Sequence, residues 1–124
     1  MKEVKFRAWH TTKKIMYTPE ELGRDDMTIS ADGKGFLNVS GVHPRLTQPM
    51  PWLLPMQYIG RKDSKGQKIY KGDILSDGFR NGPVEWDEEV NAWAWQGGID
   101  WGMIEPYDVE VIGNIYENPI KEVT

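Results

Sequence analysis

The side chains that could do chemistry are sparse in this sequence. Histidine occurs twice, at His10 and His43, and cysteine does not occur. Zinc sites combine histidine, cysteine and carboxylate ligands at short, regular spacings, and neither histidine has neighbours in such a pattern. The sequence therefore predicts no metal site. The lack of cysteine also excludes a disulfide framework. The absence of disulfides is typical of a cytoplasmic protein.

No motif for a nucleophile or for phosphate binding occurs either. Ser40 precedes Gly41 but lacks the Gly-x-Ser-x-Gly context that presents a catalytic serine. The closely spaced glycines fall in predicted turns and open no helix, which a phosphate cradle requires. We predict no catalytic residue and no cofactor, and so no enzyme. A pocket that joins His10 or a carboxylate pair to a concave site would favour an enzyme instead.

A cluster of cationic side chains is the first candidate binding surface. It comprises Arg61, Lys62, Lys65 and Lys68, followed by Lys71 and flanked by Tyr58 and Tyr70. Small β-barrels bind nucleic acid with cationic and aromatic side chains in this kind of mixture. Lysines at turn tips also serve solubility, and the net charge of −4 opposes DNA binding. Nucleic-acid contact is therefore the second hypothesis.

Two further patterns are candidate partner surfaces. Glu85, Asp87 and Glu89 alternate along a predicted strand and share one side of it, a pattern that is also common on solvated strand faces. Trp93 and Trp95 alternate with two alanines, so both rings lie on one face. Exposed rings would anchor a partner, whereas on the core side of the sheet both would be core residues.

The clearest local geometry lies between residues 56 and 75. A strand enters the turn Asp63–Gly66, where an aspartate can bond its own backbone and a glycine accepts positive φ. Gly72 and Asp73 form a second break before the next strand. We predict that Asp63, Gly66, Gly72 and Asp73 are structural turn residues, and that Asp73 holds its turn rather than acting as a catalytic group.

Short alternating segments predict the remaining fold. Strands are expected at 4–9, 15–17, 27–30, 36–39, 84–87, 92–95 and 109–116. One helical turn should follow Thr18, with Pro19 at its first position. Residues 79–82 should form a turn, and the proline-rich residues 41–55 a surface loop. No helical periodicity of any length occurs, which indicates an all-β protein of short antiparallel strands.

The distribution of charge divides the chain. Residues 1–80 have a balance of +5 and residues 81–124 a balance of −9, which together give the net charge of −4. Such an asymmetry can guide partner choice and head-to-tail self-association. No apolar run approaches the roughly 20 residues of a membrane helix, and no signal peptide opens the chain. We therefore expect a soluble protein that is not exported.

Three motifs occur in order along the chain: Lys5–Trp9 near the start, Met56–Gly60 with Ile69–Ile74 in the middle, and Val111–Pro119 at the end. Together they resemble the YopX family of small proteins encoded by phages and prophages. The resemblance is essentially full length, although residues 19–55 carry no motif. Two positions differ from the family pattern. His10 stands where the family usually has aspartate, and Arg61 where it usually has an apolar residue.

The resemblance implies an all-β protein with a C-terminal SH3-like, partly open barrel. It also implies a phage or prophage setting, and it implies no activity. We expect an N-terminal β portion over 1–55 with a proline-rich connection, and a barrel portion over 56–124, within one compact unit. The first hypothesis is a non-enzymatic protein-interaction module in the cytoplasm of the bacterial host. Its expected partners are further copies of itself, in a homo-oligomer, and an unidentified host or phage protein.

Overall fold

The chain folds almost entirely into short antiparallel strands. The computed structural model describes residues 5–39, 48–89, 91–97, 100–103 and 109–117, which form twelve strands and one helix. They divide into two compact units, one within Val4–Gln57 and one within Tyr58–Thr124. Within the described residues, no helix is long and apolar enough to cross a membrane. The predicted all-β class is confirmed.

The first unit is built around strand β1 (Phe6–His10). This strand pairs with β2 (Ile15–Tyr17) on one side and with the first half of β6 (Leu53–Lys62) on the other. Because side chains alternate along a strand, Ala8 and His10 share a face. Ala8 is fully buried. The face that carries Ala8 into the core therefore also carries His10.

Helix α1 (Pro19–Arg24) begins with a capping box. The Thr18 hydroxyl accepts a hydrogen bond from the backbone N–H of Glu21 at 3.2 Å, and the Glu21 carboxylate accepts one from the Thr18 N–H at 3.1 Å. These bonds satisfy donors that a helix start otherwise leaves free. The predicted start is confirmed, and the helix ends one residue beyond Gly23, with Asp25 as its C-cap.

A small sheet completes the first unit, in the order β3 (Met27–Ile29), β4 (Phe36–Asn38), β5 (Gln48–Met50). The predicted hairpin between β3 and β4 is confirmed, and Gly33 turns it with a φ of +71°. Glycine reaches this left-handed conformation without steric cost. Phe36 packs in the core of the unit with Ala8, Leu22 and Leu53.

The prediction of a loop over residues 41–55 is wrong for its second half. Strand β5 and the start of β6 lie there, while residues 41–47 lie outside the described residues. Pro49 lies on β5, the edge strand of its sheet, and Pro55 lies where the described pairing of β6 is with β1 alone. Proline lacks an N–H and is tolerated in a strand that has an unpaired side. The number of prolines in residues 41–55 therefore led to the wrong prediction of a loop where β5 and β6 lie.

The strands of the second unit, besides the second half of β6, are β7 (Lys68–Tyr70), β8 (Asp73–Ser76), β9 (Asn81–Asp87), β10 (Ala92–Gly97), β11 (Asp100–Met103) and β12 (Glu110–Asn114). Five of them form an antiparallel sheet in the order β11-β10-β9-β8-β12, which makes a partly open barrel. The core consists of Ile59, Ile69, Leu75, Val84, Trp95 and Val109. The predicted SH3-like, partly open barrel is confirmed.

The turn predicted at 79–82 lies earlier in the chain. The Asp77 carboxylate accepts hydrogen bonds from the backbone N–H groups of Phe79 at 2.9 Å and Arg80 at 2.7 Å. An aspartate that bonds the backbone two and three residues on closes a turn by itself. Asn81 and Gly82 are consequently the first residues of β9.

A buried aspartate connects the hairpin of β6 and β7 to strand β12. Asp63 is 6% exposed, and its carboxylate accepts backbone N–H bonds from Lys65 at 2.9 Å, Gln67 at 2.8 Å and Val111 at 2.9 Å. Burial alone would raise the pKa of this carboxyl, but the donors of Val111, Gln67 and Lys65 outweigh burial and hold the pKa below its ordinary value. The charged carboxylate is therefore part of the fold.

Removing this carboxylate should destabilise the protein. We expect Asp63→Ala to lower the free energy of unfolding by about 2–4 kcal/mol, since hydrogen bonds to charged groups contribute about 1.5–3 kcal/mol each and are not additive. Urea unfolding followed by tryptophan fluorescence measures the loss. Glu85→Ala, at an exposed position, is the matched control and should change the free energy little.

The contribution of the Asp63 carboxylate to the free energy of unfolding should also depend on pH. Because the pKa of Asp63 is lower in the folded state, its stabilisation is complete above the unfolded-state pKa of about 3.9 and is lost as the pH falls through the folded-state pKa. The free-energy difference between the wild type and Asp63→Asn should therefore shrink on acidification. A difference that stays constant down to about pH 2.5 would contradict this role of the carboxylate.

Candidate functional site

A cleft of about 810 Å³ opens in the first unit. Its volume lies within the roughly 300–1,000 Å³ of typical ligand pockets. The apolar and aromatic side chains that line it are Tyr17, Leu22, Met27, Met50, Trp52 and Leu53. Charged side chains also line it, and all of them are exposed: Lys13, Arg24, Asp25 and Asp26. The cleft thus combines an apolar interior with a charged rim.

His10 is the buried polar side chain of this cleft, with 8% exposure. Its Nδ1 accepts hydrogen bonds from the backbone N–H groups of Thr12 at 3.2 Å and Lys13 at 3.0 Å. A backbone N–H can only donate, so Nδ1 must present its lone pair. The proton of the neutral imidazole therefore sits on Nε2, and the ring is fixed as a hydrogen-bond donor.

The donor edge of His10 lies in an aromatic environment. The imidazole centroid is 6.0 Å from the ring of Tyr17 and 6.4 Å from the ring of Trp52. Nε2 makes no hydrogen bond to the part of the chain that the structure describes, and it is not sealed from solvent. Since His10 lines the cleft, this N–H is a donor that a ligand in the cleft can use.

The rim of the cleft is bipolar. Lys13 comes from the turn after β1, whereas Arg24, Asp25 and Asp26 follow one another at the end of helix α1. Asp26 adopts a φ of +58°, a left-handed conformation that aspartate tolerates better than most residues. Its carbonyl accepts the N–H of Val39 at 2.8 Å, which ties the helix end to the small sheet. Two cations and two anions give the rim no net charge.

His10 and the two aspartates do not form a catalytic dyad. Both hydrogen bonds of the imidazole Nδ1 go to backbone N–H groups, so no carboxylate orients the ring through that atom. A protonated Nε2 also cannot take a proton from a substrate. The cleft can donate a hydrogen bond, bury apolar surface and meet charges of either sign.

The structure divides the predicted basic surface. Arg61, Lys62 and Lys65 are exposed on the hairpin, whereas Lys68 is half-buried with its Nζ 5.4 Å from the centroid of the Tyr58 ring. Tyr58 and its strand partner Tyr70 are both buried, with ring centroids 5.7 Å apart. The tyrosines therefore belong to the interior and offer no platform on which bases could stack.

The structure does not expose Trp93 and Trp95 together as a binding surface. Trp95 is buried in the core of the second unit, and Trp93 packs partly against that core. Trp93 pairs across the sheet with Trp86, which is exposed, and their rings meet edge to face with centroids 5.2 Å apart. The exposed aromatic side chain on this face is Trp86.

Glu85 and Glu89 are exposed, and Asp87 is half-buried. The Asp87 carboxylate accepts the N–H of Glu89 at 2.9 Å and so caps the turn after β9. Asp73 is fully buried and accepts the N–H of Tyr70 at 2.8 Å, while Gly72 has a φ of +88°. Asp87 and Asp73 therefore stabilise turns through backbone hydrogen bonds.

Within the described residues, no group of three or more histidine and carboxylate side chains could hold a metal ion. His43 and Ser40 lie outside the described residues. The sequence did contain a signal for His10. It follows Phe6 and Ala8 at alternating positions, so extending the predicted strand by one residue places it on the core face.

A family model described as YopX protein matches residues 5–121 of the chain. Among solved structures, the crystal structure of protein EF1440 from Enterococcus faecalis is similar, with a TM-score of 0.59 and 23% sequence identity. That comparison covers 96% of this chain and 97% of the other. At this identity the likeness shows a common fold alone. No curated protein matches the chain.

Two substitutions of His10 distinguish the contribution of its Nδ1 acceptor to stability from that of its ring. His10→Phe leaves the N–H groups of Thr12 and Lys13 without their acceptor, and we expect a loss of about 1–3 kcal/mol in the free energy of unfolding. His10→Asn supplies an oxygen in place of Nδ1 and should retain most of the stability, because asparagine readily bonds the backbone two and three residues on. Urea unfolding compares them. Equal losses in the two variants would contradict a structural role for Nδ1.

Proposed function

The chain belongs to the YopX family, and from that premise we propose that it is a non-enzymatic accessory protein of a phage or prophage that acts by binding a partner protein. The proposed place of action is the cytoplasm of the bacterial host. The proposed binding site is the cleft of the first unit. The observation that carries this proposal is the imidazole of His10, whose tautomer is fixed by two backbone N–H groups and whose centroid lies 6.0 Å from the ring of Tyr17 and 6.4 Å from the ring of Trp52.

The chemistry of the cleft supports binding over catalysis. A base needs a free lone pair, and the lone pair of His10 is already engaged by the backbone of residues 12 and 13. The interior offers apolar burial and the fixed N–H donor of His10, and such a combination supplies affinity and orientation. The exposed rim charges can meet a longer ligand on either side of the cleft.

A peptide segment of a host or phage protein suits this cleft. Its volume of about 810 Å³ is large enough for a side chain with part of the adjoining backbone. The rim has charges of both signs, and flanking residues of a peptide can match them. Self-association remains part of the proposal, since the second unit exposes Phe79 at 96%, Trp86 at 43% and Ile112 at 50%.

Selection from a random peptide library displayed on phage tests the cleft. Peptides enriched on the wild type should lose roughly tenfold or more in affinity for Trp52→Ala, because a buried aromatic contact carries a large share of binding energy. Trp86→Ala is the matched control, since Trp86 is also an exposed tryptophan but lies in the second unit. Enrichment of no peptide, or of peptides sensitive only to Trp86→Ala, would refute the cleft as the binding site.

Nucleic-acid binding by the hairpin is the second candidate function. Its support is the exposure of Arg61, Lys62 and Lys65 on one hairpin. Because Tyr58 and Tyr70 are buried, binding would rest on phosphate contacts alone and would be insensitive to sequence.

Titration of fluorescent single-stranded and duplex DNA tests this alternative. Each phosphate contact should add about −0.9 to the slope of log affinity against log salt for duplex DNA. Changing Arg61, Lys62, Lys65 and Lys68 together to Ala should abolish binding, whereas Lys13→Ala and Arg24→Ala should not. A flat titration at low salt would exclude the candidate.

A further inference from the structure

We propose that the cleft holds a tyrosine side chain of the partner, with the phenol oxygen accepting a hydrogen bond from His10 Nε2. This inference rests on the proposed function and names the group that the site recognises. Its basis is the imidazole of His10, more than nine-tenths buried, with a donor that meets no other group among the described residues. Water can satisfy this donor in the free protein, and a ligand that fills the cleft and displaces that water has to supply an acceptor in its place.

The surroundings of His10 favour a planar ring on the ligand. The rings of Tyr17 and Trp52 both lie near the imidazole, at centroid distances of 6.0 and 6.4 Å. Met27 and Met50 line the same cleft. Aromatic rings pack favourably edge to face with other rings and against methionine sulfur. An aliphatic ligand side chain would gain burial but not these contacts.

The charges favour a neutral acceptor over a carboxylate. The cations of the cleft, Lys13 and Arg24, are exposed at its rim, whereas His10 is buried and carries no charge in the tautomer that its bonds impose. A carboxylate brought to Nε2 would lose its hydration and gain one neutral donor, which leaves most of its desolvation cost uncompensated. A phenol loses far less hydration: its oxygen accepts the bond from Nε2, and its own O–H can still donate to water.

The remaining parts of the cleft fit the residues next to such a tyrosine. Asp25 and Asp26 at the end of α1 can meet a cationic neighbour, and Lys13 can meet an anionic one. These contacts are exposed and contribute weakly, so they adjust preference rather than create affinity. The tyrosine is therefore the anchor, and its flanking charges are secondary.

The test uses the peptide that the library selection enriches most strongly. We expect the enriched peptides to share one tyrosine. In a synthetic copy, changing that tyrosine to phenylalanine should weaken binding to the full-length wild type by roughly 3- to 10-fold, the effect of one net hydrogen bond. Isothermal titration calorimetry measures both peptides.

The His10→Asn variant provides the decisive comparison. It keeps an acceptor for the turn after β1, and its amide is too short to place an N–H at the position of Nε2. It should therefore bind the tyrosine and phenylalanine peptides equally, at the affinity that the wild type has for phenylalanine. Circular dichroism and urea unfolding confirm that the variant is folded. Trp52→Ala should weaken both peptides alike, because it removes ring contacts rather than the hydrogen bond.

The outcomes separate this inference from the proposed function. The enriched peptides could depend on Trp52 but lack a shared tyrosine, or bind equally well with phenylalanine. Either result would refute the inference that the cleft holds a tyrosine and would still support the cleft as a binding site. Tighter binding when the tyrosine is replaced by glutamate assigns the cleft to carboxylates and also overturns it. Failure to enrich any peptide that depends on the cleft refutes the proposed function itself.

Discussion

The second unit depends on a carboxylate that a turn and a distant strand share. Asp63 accepts two backbone N–H bonds within its own hairpin and one from Val111 on β12, and the N–H of Ser64 donates to the carbonyl of Val109 at 3.0 Å. Strand β12 is an edge of the five-stranded sheet. An open edge is a template for pairing with other chains, and the hairpin occupies part of this one. The same contacts hold β12 over the core around Leu75.

One device recurs at several turns of this protein. A side-chain acceptor captures the backbone N–H groups two and three residues on, as Asp77 does with Phe79 and Arg80, and as Asn114 does with Tyr116 at 3.0 Å and Glu117 at 2.9 Å. His10 follows the same pattern with its Nδ1. Unlike aspartate, histidine in this role retains a donor on its other side, as asparagine does with its amide N–H groups. The requirement of a turn thereby fixes the protonation of a ring in the cleft.

The sequence allowed prediction of what depends on near neighbours. Alternation located most strands, and turn chemistry located the hairpins at Gly33 and Gly66 and the helix start at Thr18. Proline was misleading at Pro49 and Pro55, because it is excluded only from strands that pair on both sides. The cleft could not be predicted, since its lining comes from β1, α1, the small sheet and β6, and no local pattern records which residues the fold brings together. The burial of the hairpin tyrosines depends on long-range packing in the same way.

The position of His10 shows where this chain can differ from others with the same fold. The family motifs recognised in the sequence fall mainly on the turns and strands of the second unit, whereas the cleft is lined by residues between His10 and Leu53. By the resemblance drawn from the sequence, His10 stands where the family pattern has aspartate. A carboxylate there can accept the same two N–H bonds from the turn, but it has no N–H to donate. In this chain histidine supplies the acceptor for the turn and also presents an N–H donor at the cleft. A ligand that suits this chain should therefore bind poorly to a relative with aspartate, even though the two folds are the same.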